Sequence, residues 1–293
     1  MDLAAASAFL AGHARQLDRL RFAALLGAVP PDAVLAAVAA YRNPDGGYGW
    51  GLEPDLRAPE SQPGGALHAL EVFAEVAPTT TPAAAQLCDW LARVALPGGG
   101  LPFAFPVADP AACAPFWVDA DPSRFSLQST AFVVGTALRV AAHDPAVADH
   151  PWLRAATRTC LDAIARLDTA PHPIALSFVV RLVDALADAD PGAGAILERL
   201  GAFLPRDGTL HVTGGAADEY LRPLDFAPTP GPARGLLDAA AVDADLERLA
   251  GAQQPDGGWV VDFGSFSPAA ALEWRGYATV RAVGVLRANG ILT

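Results

Sequence analysis

Gln254-Pro255-Asp256-Gly257-Gly258-Trp259 repeats, position by position, the stretch Asn43-Pro44-Asp45-Gly46-Gly47-Tyr48. Each opens on a side-chain amide, turns through Pro-Asp-Gly-Gly and closes on an aromatic ring. Glycine after aspartate supplies the positive φ that ends a helix and reverses the chain. Two looser copies lie between them, Pro97-Gly98-Gly99-Gly100-Leu101 and Pro205-Arg206-Asp207-Gly208-Thr209. Every copy follows a stretch of helical periodicity and precedes a long irregular loop and another such stretch. The unit therefore reads as helix, Gly-rich turn, loop, helix, and a recurring unit of this kind is the mark of a repeat architecture, in which each copy adds its own slice of core.

Working outward from the turns, apolar residues recur at helical spacing. Leu67, Leu70, Val72 and Phe73 do so within 65–77. Leu127, Phe132, Val134, Leu138 and Val140 do so within 124–143, and Trp152, Leu153, Leu161, Ile164 and Leu167 within 151–168. Stretches 3–28, 31–42, 82–95, 174–190, 192–204, 242–253 and 272–289 read in the same way, with a weaker pattern at 230–240. Prolines 31, 82, 151 and 191 stand where helices should begin, because a first-turn residue needs no N–H donor. No segment alternates in the manner of a strand, so no sheet is expected. The predicted fold is all-α: about ten or eleven helices in antiparallel hairpins, closed as an α/α toroid in one domain over 1–293.

Composition narrows the partners. Hydrophobic residues make up 52% of the 293, enough for a large core. No apolar run is long enough to span a bilayer, so no transmembrane segment is expected. Asp2 stands where a secretory leader would carry a basic residue, so the default location is cytoplasmic. The net charge of −12, with arginine as the only basic residue, repels phosphodiester backbones and argues against nucleic acid. Cys88, Cys113 and Cys160 are odd in number and lack metal spacing, which fits reduced, buried thiols. Oligomeric state is not written in any of these features.

The loops 43–60, 96–123, 205–229 and 255–271 are long for helix connections. With regular hairpins they would all emerge at one end of the ring, rich in glycine and aromatic rings. Tyr48 and Trp50 belong to the first, and Phe103, Phe105, Phe116 and Trp117 to the second. Trp259 and Phe263 belong to the fourth, with Trp274 just beyond it. These rings are the expected substrate-binding residues, since long loops on a rigid scaffold are where binding concentrates. The same rings would serve to plug the ring and complete its core.

Leu249, Gln253, Gly257 and Trp259 match the QW repeat of the squalene–hopene and oxidosqualene cyclases, although Arg248 stands where that pattern has an aromatic residue. The chain thus resembles the prenyltransferase and squalene-cyclase repeat superfamily. That resemblance implies a toroid and an isoprenoid or other apolar small molecule as ligand. The cyclases' acid motif, DxDD followed by Thr-Ala, is not present. Thr130-Ala131 matches its tail, and Asp119-Ala120-Asp121-Pro122 keeps two of its acids slightly upstream. No Asp-rich Mg2+ motif and no Zn2+ ligand spacing occur, so no metal site is expected; a Mg2+ ion would enter only with a bound diphosphate.

Carboxylates beside aromatic rings suit two chemistries, cation cyclisation and glycosidic cleavage. Asp121, placed to cap the helix at 124–143 and oriented by Asp119, is the first choice of acid. Glu53 and Asp55, in the matching loop of another repeat, are the second. Arg57, Arg124 and Arg275 carry guanidinium forks that would hold a diphosphate. His68 reads as a satisfied core or lining histidine rather than a base. The leading expectation is an isoprenoid-processing, terpene-cyclase-like enzyme without the usual acid motif. A noncatalytic toroid binding an apolar ligand or a partner protein is the alternative, and a carbohydrate-active hydrolase or lyase the third reading.

Overall fold

The computed structural model describes residues 1–187 and 189–292. Fourteen helices are described: α1 (Leu3–His13), α2 (Gln16–Leu25), α3 (Pro31–Ala39), α4 (Pro63–Glu75), α5 (Pro82–Val94), α6 (Pro115–Val118), α7 (Leu127–Ala141), α8 (Pro145–Ala148), α9 (Pro151–Ala165), α10 (Pro173–Leu186), α11 (Ala193–Gly201), α12 (Pro223–Phe226), α13 (Ala239–Gly251) and α14 (Pro268–Ala288). The fold is all-α, and the strands described are β1 (Leu210–His211) and β2 (Tyr220–Leu221), a two-residue antiparallel ribbon in the third long loop. A ribbon that short has no alternation for a sequence pattern to reveal.

Capping chemistry sets many of the boundaries. Pro31, Pro63, Pro82, Pro151, Pro173 and Pro268 each occupy a first helical turn. Thr81, Ser126 and Ser267 accept first-turn N–H groups of α5, α7 and α14. Each such cap contributes about 1 kcal/mol. The stretch expected as one helix over 3–28 is two, because Ala14 and Arg15 are extended and α2 restarts at Gln16.

Contacts divide the chain into two compact units, Met1–Leu26 with Thr169–Thr293, and Gly27–Asp168. In the second unit α4 packs on α7, and α7 and α5 pack on α9. Every residue of α4 from Pro63 to Phe73 is buried, whereas α5 buries one stripe, Ala84, Leu87, Cys88, Trp90 and Leu91. That i, i+3, i+4, i+6, i+7 spacing is one helix face, and each large side chain on it contributes roughly 1.5–3 kcal/mol by leaving water. In the other unit α14 packs on α1, α2 and α13, around a core of Phe9, Leu10, Phe22, Trp259 and Val283. Among the described residues no helix is long and apolar enough to cross a membrane.

The repeated turns share one hydrogen-bond pattern. The N–H of Asn43 donates to the Gly47 carbonyl at 2.9 Å, that of Gln254 to Gly258 at 2.8 Å, and that of Leu96 to Gly100 at 2.8 Å. Gly46, Gly257 and Gly99 donate back to the opening residue, at φ of 92°, 94° and 88°. Only glycine adopts that conformation without strain. The weakest copy keeps part of the pattern, with Gly208 donating to Pro205 at 2.8 Å.

Candidate functional site

The first long loop lies on the start of α4 because two glycines permit it. A Cβ on Gly65 would overlap the Tyr48 carbonyl, and one on Gly49 would overlap the carbonyls of Pro59 and Glu60. The second long loop is hydrogen-bonded to the first. Gln62 donates to the Phe105 carbonyl at 3.0 Å and accepts its N–H at 2.8 Å, Ala114 donates to the Asp55 carbonyl at 2.8 Å, and Leu56 bridges Cys113. In the other unit the third and fourth loops approach at Arg222 and Asp262, 3.8 Å apart.

The first loop carries Glu53 and Asp55 into the interior, where they are 7% and 4% exposed. His68 lies opposite, on α4. Its Nε2 is 2.8 Å from Glu53 Oε2, and its Nδ1 is 2.8 Å from Glu71 Oε2, one helical turn along. Burial works against a charge on this ring, but the two hydrogen bonds and the two negative charges outweigh it and raise the His68 pKa to about 9. At neutral pH the His68 ring is therefore positively charged between the two acidic side chains. The Asp55 N–H donates to the other Glu53 oxygen at 3.2 Å. Glu53 also packs on Gly64, where an added Cβ would stand 3.3 Å from its Cγ and 3.7 Å from the Trp117 ring. Trp117 in turn stacks on Phe103, with centroids 4.5 Å apart, and its buried Nε1 has no hydrogen-bond partner.

In the same unit, Asn43, Pro44, Asp45, Pro59, Glu60, Ser61, Trp90, Val94 and Phe105 line an open cleft of about 570 Å3, which none of Glu53, Asp55, His68 and Glu71 lines. Asp45 organises its wall, accepting from Gly47 N–H at 2.9 Å, Ser61 Oγ at 2.8 Å and Trp90 Nε1 at 3.0 Å.

The structure redistributes the residues expected from sequence. Asp121 is fully exposed and accepts from Ser123 N–H at 2.8 Å and Ser123 Oγ at 2.6 Å, which hold its pKa below the usual carboxylate value. It caps no helix: α7 begins at Leu127, and Ser126 is its cap. Asp119 and Arg124 are exposed as well. Tyr48 and Trp259 point into the cores rather than toward a ligand. Tyr48 is 0% exposed with its phenol pushed up to about 12 by burial, and Trp259 is 2% exposed, donating to the Leu249 carbonyl at 2.9 Å. Arg275 is not a free anion fork, since it pairs with Asp256 at 2.7 Å and covers the Phe9 ring at 4.4 Å. Arg57 is half-buried. Phe105 meets Trp90 edge-on, and Phe263 meets Trp274 edge-on in the other unit. Trp50 and Phe116 remain exposed, at 58% and 57%.

Among the described residues, no group of three or more His, Cys, Asp or Glu side chains is arranged to hold a metal ion. Sequence reasoning found Glu53 and Asp55, set His68 aside and missed Glu71. The i, i+3 pair of His68 and Glu71 in an otherwise apolar helix was the available signal.

No family model and no curated protein matches this chain. A solved structure described as a glycosidase is 13% identical and aligns over 100% of both chains, with a TM-score of 0.46. A likeness that slight assigns neither fold nor activity here. The isoprenoid-cyclase expectation is corrected at its expected acid: Asp121 is an exposed, hydrogen-bonded carboxylate rather than a buried proton donor.

Proposed function

We propose that the protein is a carbohydrate-active hydrolase whose reacting carboxyl groups are Glu53 and Asp55. The observation that carries this reading is the buried array of Glu53, His68 and Glu71. The His68 ring 2.8 Å from Glu53 sets a positive charge against the carboxyl that acts as nucleophile or water-activating base. Asp55, the second buried carboxyl of the same loop, protonates the leaving oxygen as the glycosidic C–O bond breaks. Water supplies the hydroxyl to the anomeric carbon and restores the proton. His68 and Glu71 are positioning residues. Glu53, Asp55, His68 and Glu71 all belong to the unit Gly27–Asp168.

A panel of aryl glycosides and soluble polysaccharides tests it. The wild type is expected to release sugar from at least one, and Glu53→Gln and Asp55→Asn to lower the rate by about 1,000-fold or more while staying folded. Full activity in both variants, or no release from any substrate, overturns it. A second reading, a noncatalytic binding domain in which the array only ties the loop to α4, is favoured by the depth of these groups. It is distinguished by ligand binding without turnover.

A further inference from the structure

We propose that Trp50 is a stacking platform for a pyranose ring, forming a carbohydrate-binding site at the rim of the cleft beside Asn43. Three observations converge on it. Trp50 is the most exposed aromatic side chain of the described residues, at 58%, although its neighbours Tyr48 and Leu52 are buried to 0% and 1% exposure. Its backbone is left-handed, with φ at 58°, the single non-glycine residue so placed among those described. A bulky aromatic adopts that region only when its surroundings force it, and such residues gather at ligand clamps.

The ring is also fixed. Its Nε1 donates to Asn43 Oδ1 at 2.7 Å, and Asn43 is itself held by donation to the Pro59 carbonyl at 2.8 Å and Ser61 Oγ at 2.9 Å. The Trp50 N–H donates to the Ala58 carbonyl at 2.9 Å. An aromatic face ordered before binding loses little freedom when a ligand stacks on it. With the indole N–H already engaged, the exposed surface offers its π face and its C–H edge.

The cleft beyond Asn43 sets the ligand's charge. Asp45 and Glu60 line it and disfavour an anion. The Arg93 guanidinium donates to the Asp45 carbonyl at the same turn and disfavours a cation. A neutral ring with one apolar C–H face and hydroxyl donors for Asp45 fits both the platform and the wall. Pro44, Pro59 and Phe105 extend the apolar surface along the cleft, so the ligand is an oligosaccharide rather than a single sugar.

This inference shares the carbohydrate class of the proposed function but not its catalytic step. The test is titration calorimetry of the full chain with neutral hexasaccharides of glucose, xylose, mannose and N-acetylglucosamine. At least one is expected to bind, and Trp50→Gly, which suits the left-handed backbone, is expected to weaken it 10-fold or more, with Trp50→Phe falling between. Equal affinity in a folded Trp50→Gly variant, or no binding by any hexasaccharide, overturns the inference. Trp50-dependent binding without hydrolysis would remove the catalytic reading and leave this one, and hydrolysis with Trp50-independent binding would do the reverse.

Discussion

The turns at 43–48 and 254–259 have the same backbone and different surroundings. Each closes with the same pair of hydrogen bonds around a glycine near φ 93°, at 92° and 94°, and each sends its final aromatic into a core. At 254–259 the surroundings then close over the turn. Arg275 pairs with Asp256 and lies on Phe9, and Gln253 donates to the Asp2 carbonyl at 2.7 Å and accepts its N–H. At 43–48 the aspartate turns instead to Ser61 and Trp90, and the turn becomes the edge of an open cleft. One local sequence thus makes a seal in one place and the edge of an open cleft in another. The repeat specifies the turn, and the side chains arriving from elsewhere decide its use.

The two regions should differ most in the charges that hold their loops. Replacing His68 with Ala leaves Glu53 and Glu71 facing one another in the interior and should cost about 3–5 kcal/mol in urea denaturation. Arg275→Ala breaks a half-exposed pair and a ring contact, and should cost about 1 kcal/mol. Similar losses from the two would contradict the contrast between a buried array and a surface clasp. The His68 contribution also has a pH sign. Its folded pKa of about 9 lies above the unfolded value of 6.5, so its stabilisation is complete below pH 6.5 and is lost as pH rises through 9. The denaturation midpoint should fall over that window in the wild type, with a smaller fall in His68→Ala.

A subtler comparison uses the two glycines themselves. A Cβ at Gly257 would overlap the Ala5 carbonyl, whereas at Gly46 the nearest atom, the Gln86 carbonyl oxygen, is 3.4 Å away. Gly257→Ala should therefore cost about 3 kcal/mol, and Gly46→Ala about 1–2 kcal/mol, the left-handed penalty alone. Equal thermal shifts would mean that the packing around the turns matters less than their φ.

Much of the helical pattern was legible because periodicity and first-turn prolines are local. The turn repeat was legible for the same reason: Asp-Gly-Gly dictates its hydrogen bonds within six residues. The break between α1 and α2 was hidden, since Ala and Leu continue their helical spacing through Ala14 and Arg15. The site was only half legible. Glu53 and Asp55 stood out as acids among aromatics, but the partner that gives Glu53 its meaning lies 15 residues away, across an irregular loop. Asp121 misled because an aspartate before a proline and a helix reads as a cap, while Ser126, five residues on, takes that role.

His68, buried between Glu53 and Glu71, carries the charge on which the proposed reaction turns, and its ring can be followed directly by 15N-edited NMR over a pH titration of the intact protein. Both ring nitrogens should remain protonated through neutral pH and titrate near 9. Titration near 6.5, the ordinary histidine value, would mean that no charge is held there, and the proposed role of Glu53 beside an imidazolium would fall with it.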